Sequence, residues 1–237
     1  MLVSAAICPH PPLLVPGIGP RHDGRLEVLR DACWSALHEL RNASPELLVV
    51  VGAGTRTEPD VAGVGDFADY GVPRRVALPG RLPDAASDSG MPLSLCVGAW
   101  LLERDGWRGQ VAGASVARTA TRDECVRLGA DTADRADRVA LLVMADGAPG
   151  HAHDETPLTR SRAGAHDLAF VAAIGSGDPR QILALDDEAA AAAGSDGVKA
   201  LNVLAGAGAD TVFDVDVTYD AAPFGVGYTV AVWERHG

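Results

Sequence analysis

His10 is the first residue whose placement suggests chemistry. It lies in Cys8-Pro-His-Pro-Pro-Leu-Leu-Val-Pro-Gly-Ile-Gly19, directly after an apolar run. Prolines on both sides restrict the backbone and hold the imidazole in one direction at a predicted strand end. An imidazole placed there can pass protons near neutral pH or ligate a metal, while simple packing under the proline loop is the alternative. The other histidines divide by context. His38 and His166 fall in predicted helices on faces expected to be solvated, His236 is in the C-terminal tail, and His22 sits beside Asp23 at a helix entrance. His151 and His153, with Asp154 beside them, remain as candidates in a polar loop that follows another apolar run and opens at Asp146.

Two further motifs imitate known chemistry and fail in detail. Gly52-Ala-Gly54 follows a strand like the opening of a dinucleotide fingerprint, but Thr57 stands at the third glycine and Pro59 disturbs the helix that should hold the pyrophosphate. Gly113-Ala-Ser-Val-Ala117 resembles a serine nucleophile elbow, but it ends in alanine and runs into a poor helix start.

Positioning these residues requires alternating strands and helices. Strands are predicted over residues 2–8, 46–52, 75–78, 110–116, 139–144, 211–218 and 227–233, and helices over 25–42, 93–104, 122–135, 162–174 and 197–205. Apolar runs such as LLVVV and VALLVM suit strands covered on both faces. Proline and glycine between the last two strands suit an antiparallel turn, where Gly225 and Gly227 permit a bulge or a close backbone approach. Residues 61–90 read as an irregular excursion over one sheet edge, and 186–194 as a helix with an acidic start. The expected fold is a single α/β domain over 1–237: a mostly parallel central sheet flanked by helices, with a C-terminal antiparallel hairpin. Open sheets of this kind bind ligands at the carboxyl ends of their strands, which would bring His10, Asp146 and the turn at 52–57 to one cleft.

Composition excludes some functions. The 237 residues carry 20 lysines and arginines against 32 aspartates and glutamates, a net charge of −12. That balance argues against binding nucleic acid or an anionic membrane surface, both of which need basic patches. With 47% hydrophobic residues the chain is expected to fold. No apolar run is long enough to span a bilayer, and the first basic residue is Arg21, so neither a membrane span nor a secretory signal is expected. Cys8, Cys33, Cys96 and Cys125 are too scattered for a metal or redox motif and suit free thiols in the cytoplasm.

The segment ICPHPPLLVPGIG resembles the N-terminal signature of the LigB-like family of class III extradiol ring-cleavage dioxygenases. LLVVVGAG, LLVMADGAPGH and the closing PFGVGYTVAVWE follow in the family's order, the last as in its actinobacterial branch. The resemblance implies a non-haem iron(II) centre held by two histidines and a carboxylate, with positions left for a catecholate and dioxygen, and a further histidine as acid and base. On that pattern His10 matches the first metal histidine, and Asp146 matches an aspartate of the late site loop. The second metal histidine has no counterpart in the turn Val51-Gly-Ala-Gly-Thr-Arg-Thr57, and the carboxylate ligand has only Glu188 and Asp196 as candidates by position.

The resulting expectation is a divergent family member with an incomplete metal site, binding a small molecule in a cleft that includes Gly54, Thr55 and Asp146. Should iron be bound, His10 and Asp154 are the candidate ligands, with His151 and His153 as catalytic histidines. An active iron(II) oxygenase with a substitute ligand set and a non-catalytic partner-binding protein stay open beside that reading. So do a cleft without any cofactor and assembly into a homo-oligomer.

Overall fold

The computed structural model describes residues 1–20, 22–80 and 90–236. A six-stranded sheet runs in the order β5-β2-β6-β1-β8-β7, where β1 is Leu2–Cys8, β2 Leu47–Gly54, β5 Gln110–Ala117, β6 Val139–Met144, β7 Phe213–Ala221 and β8 Tyr228–Arg235. The strands β5, β2, β6 and β1 are parallel, and β8 is antiparallel to both β1 and β7. Between β2 and β5 lies a separate antiparallel pair, β3 (Val64–Phe67) and β4 (Val72–Ala77). The fold is therefore the expected mostly parallel α/β sheet with a closing hairpin.

Alternation along the strands builds two cores. Ala5, Ile7, Val49 and Val51 face the side covered by α3 (Arg122–Ala133), α4 (Pro157–Gly175), α5 (Pro179–Leu183), α6 (Asp187–Ala193) and α7 (Gly197–Ala207). Ala6, Cys8, Leu48 and Val50 face α1 (Gly24–Asn42), α2 (Leu93–Asp105) and the β3–β4 pair. Side chains on both faces are buried, which is why these strands read as continuous apolar runs. As that pattern predicts, β2 is interior and Val49 and Val50 are inaccessible to solvent.

Local signals start the helices. Asp23 accepts the Arg25 N–H ahead of α1, Thr121 and Glu124 form a capping box at α3, and Thr156 accepts the Thr159 N–H ahead of Pro157 in α4. Among the described residues no helix is long and apolar enough to cross a membrane.

The structure corrects several details. The excursion at 61–90 contains β3 and β4, and its residues 81–89 lie outside the described residues. The sheet edge is covered slightly upstream: the Glu58 and Ser115 main chains exchange hydrogen bonds of 2.9 Å, and the Val61 N–H donates to the Gly113 carbonyl at 2.8 Å. The short α5 has no counterpart among the predicted helices. The register shift in the closing hairpin falls between Val217 and Tyr219, not at the glycines. Gly225 instead adopts φ +81°, and a Cβ on Gly227 would overlap the Asp167 carboxylate.

His166 is also corrected. It is buried, packs on Phe170 with ring centroids 5.7 Å apart, and its Nε2 has no hydrogen-bond partner. The sequence hid this because its helix is rich in small residues, which leave no clear apolar stripe. Burial lowers its pKa below the ordinary 6.5, against the opposing charge of Asp167.

Two stability measurements follow. Gly227→Val should lower unfolding free energy by about 1–3 kcal/mol in urea denaturation, from overpacking against Asp167; an unchanged midpoint would refute the close approach. Because His166 is held neutral, the unfolded chain binds its proton more readily. Stability should therefore fall as pH drops through the unfolded-state value near 6.5, and His166→Leu should flatten that slope in denaturation curves taken from pH 7.5 to 5.5.

Candidate functional site

The parallel ladder between β1 and β6 ends in an unusual rung. Ile7 and Cys8 pair with Val143 and Met144, and the Ala145 N–H donates to the Cys8 carbonyl at 2.9 Å. Pro9 has no N–H to offer next. The His10 N–H instead donates to Asp146 Oδ1 at 2.8 Å, and His10 Nδ1 lies 3.6 Å from the same oxygen. One carboxylate thus replaces the next main-chain acceptor and stands beside the imidazole. Nδ1 is buried with no hydrogen-bond partner.

This pair sits beside a cavity of about 520 Å³, within the range of small-molecule sites. His10, Gly54, Thr55, Ser94, Arg118 and Asp196 are among its lining residues, so it opens beyond the carboxyl ends of β1, β2 and β5. The start of α2 packs there against β2: a Cβ on Gly52 would overlap Ser94, whose Oγ donates to the Ala53 carbonyl at 2.7 Å. Of the glycines that imitate a nucleotide fingerprint, Gly52 makes room for the start of α2 and Gly54 for Ser115 of β5. Ser115, the imitation nucleophile, is buried and donates to the Arg56 carbonyl at 2.8 Å.

The electrostatics isolate the pair. Burial pushes the Asp146 carboxyl up, the nearby His10 opposes that, and Asp196 adds to it. On the α1 side the Cys33 thiol is pushed well up, first by a hydrogen bond with Cys8 and then by burial. Burial, with the Asp146 charge adding to it, likewise raises the Tyr228 phenol. Both neighbours stay neutral at pH 7, and the His10 imidazole lies 3.6 Å from the Asp146 carboxylate. An imidazole next to an oriented carboxylate at a cavity wall can accept or deliver a proton.

The other sequence candidates are placed elsewhere. His151 does not line this cavity; its Nε2 lies 2.7 Å from Asp167 Oδ2, while Asp167 Oδ1 accepts the Ala148 N–H at 2.7 Å. His153 and Asp154 are exposed on the loop before α4, and Glu188 is exposed on α6. Asp196 does line the cavity, ion-paired with Arg118. Among the described residues no three His, Cys, Asp or Glu side chains converge as metal donors. Asp146 stands behind His10 and does not itself line the cavity; the donor side chains that do are His10 and Asp196, which do not match two histidines and a carboxylate. A separate groove, walled by Glu39, Asp214, Asp216 and Glu234, lies at the opposite end of the sheet.

Sequence reasoning missed Asp167 and Arg118. Asp167 follows His166 on a helix with no distinguishing pattern, and it meets His151 only because the loop folds back along residues 225–227. Main-chain bonds from Gly147 to Gly227 and from Gly150 and His151 to Gly225 hold that loop. Arg118 carried one signal, its position directly after a buried strand.

No family model and no curated protein matches the chain. Among solved structures it is similar to protein JW3007 from Escherichia coli K12, described as uncharacterized, with 12% sequence identity and a TM-score of 0.55. The match covers 98% of this chain and 99% of that one, and at this identity the likeness is one of fold alone.

Asp167 is expected to be a structural clasp. Asp167→Ala strands the Ala148 N–H and the His151 ring, so it should cost about 1–3 kcal/mol. Hydrogen exchange at Ala148, Gly150 and His151 should accelerate together. Protection unchanged at those amides would dismiss the clasp.

Proposed function

We propose that this chain is a divergent LigB-like protein, related to the class III extradiol dioxygenases, whose strand-end cleft binds a small organic molecule and whose metal site is incomplete. The observation that carries the reading is the cavity of about 520 Å³ with His10 held against Asp146 at its wall. The ordered motifs ICPHPPLLVPGIG, LLVVVGAG and LLVMADGAPGH support the family, and each leads to this end of the sheet. In this reading His10 exchanges a proton with the bound molecule, and Asp146 holds the His10 main chain in place with its carboxylate beside the ring. Four buried free thiols, Cys8, Cys33, Cys96 and Cys125, support a reducing compartment such as the cytoplasm.

One observation favours a second reading, an iron(II) oxygenase with a substitute ligand set: the buried, unpartnered Nδ1 of His10 is a free donor. No histidine of the 151–153 loop supplies its companion at the cleft.

The two readings separate in one experiment. Untagged protein is reconstituted anaerobically with iron(II), its metal content measured, and catechol binding followed by NMR in wild type and His10→Ala. The expected result is iron well below stoichiometric, a circular dichroism spectrum unchanged by His10→Ala, and catechol binding weakened roughly tenfold or more in that variant. Stoichiometric iron that is lost in His10→Ala would favour the oxygenase. Catechol binding equal in both proteins, without iron, would sink the cleft reading.

A further inference from the structure

The cleft does not stop at Arg118. The Arg118–Asp196 ion pair is a shared wall, because both residues also line a second recess of about 240 Å³ that holds Lys199 and Asp187. Lys199 is the chain's sole lysine, and its Nζ lies 3.1 Å from Asp187 Oδ1. Arg122 reaches the other oxygen of Asp187 at 2.8 Å. Arg118, Arg122 and Lys199 thus share two carboxylates here, Asp196 and Asp187, and of the three cations only Arg118 also lines the cleft.

We infer that the ligand of the cleft carries an anionic group, and that Arg118 is its anchor and sets this specificity. The inference deepens the cleft reading above and rests on it. Arg118 follows β5 directly, so its main chain is fixed at a strand end while its side chain is 74% exposed. A guanidinium offers a planar pair of donors that matches a carboxylate or phosphate. Its present partner is replaceable: Asp196 occupies the N-cap position of α7, yet its side chain caps no helix N–H. A ligand anion that takes the guanidinium from Asp196 therefore costs the helix nothing. Thr55 and Thr119 add neutral polar groups to the same wall. The start of α2 at Pro92 and Leu93, which no side chain caps, adds a favourable field. His10 lines the same cavity, so one molecule can place its anion on Arg118 and a reacting group at the imidazole.

The test uses a matched pair of probes, benzoate and benzamide, titrated by NMR into the wild-type chain, Arg118→Gln, Asp196→Asn and His10→Ala. Wild type should bind benzoate about tenfold more tightly than benzamide. Arg118→Gln should erase that preference and leave benzamide affinity unchanged, while Arg118→Lys retains part of it. Asp196→Asn should tighten benzoate binding, because it frees the guanidinium. Equal affinity of wild type for the two probes, or benzoate affinity untouched by Arg118→Gln, overturns the anchor. Benzamide binding that shows no charge preference but is lost in His10→Ala overturns the anchor alone and leaves the cleft reading standing. Saturation by neither probe overturns both.

Discussion

The hydrogen bond from the His10 main chain to Asp146 is the constraint on which the site depends. A parallel pair of strands ordinarily ends by letting its two chains diverge into separate loops. Here Pro9 removes the next main-chain donor, and a side-chain carboxylate from the end of β6 takes hold of the chain leaving β1 one residue later. The two loops that leave the sheet at this point are thus tied together at their first turn. Pro11 then fixes the chain on the far side of His10, so the imidazole has little freedom left. The same carboxylate does structural and electrostatic work at once, which makes the two roles inseparable by mutation at Asp146 alone.

A second loop system shows how a half-buried carboxylate organises a surface segment. Asp167 holds an amide and an imidazole from the 147–151 loop, and residues 225–227 run against that loop as an improvised ribbon. Gly225 and Gly227 are small because the ribbon and the Asp167 carboxylate occupy the space a side chain would need. Burial and the charge of Asp167 together raise the Asp220 carboxyl. Fold and site therefore meet at the start of β8, where the closing strand supports the loop that carries Asp146.

Much of this was legible in the sequence. The fully buried strands announced themselves as apolar runs, and Asp23 marked a helix entrance by its chemistry. The cap at Thr156 went unread, and α4 begins at Pro157, five residues before the expected start. His10 and Asp146 were identified because each follows an apolar run, and parallel strands deliver such positions to one end. Other features stayed hidden for physical reasons. The second half of β4 was expected as a strand over 75–78, but the four-residue β3, with Gly65 and Asp66 inside it, lacks the density of apolar residues that signals a strand. His166 lies in a helix rich in alanine, whose small side chains leave no apolar stripe to mark a buried position. His151, His153 and Asp154 looked like one cluster because they are neighbours in sequence, but a turn separates neighbours as easily as it joins them. The ion pair of Arg118 with Asp196 joins a strand end to a helix start across intervening elements, and nothing in local spacing encodes it.

The position of β1 has a consequence for how the chain comes to its final shape. This first strand lies between β6 and β8, so one of its two neighbours is the last strand of the fold. A contact spanning nearly the whole sequence is slow to form, because the entropy of closing so large a loop is spent before any of its bonds are made. During synthesis β1 emerges first and waits with an open, apolar edge until the hairpin of β7 and β8 arrives. The tie of His10 to Asp146 needs only β6, so the β1–β8 pairing comes after it, and a nascent chain has an interval in which that edge needs protection from other strands.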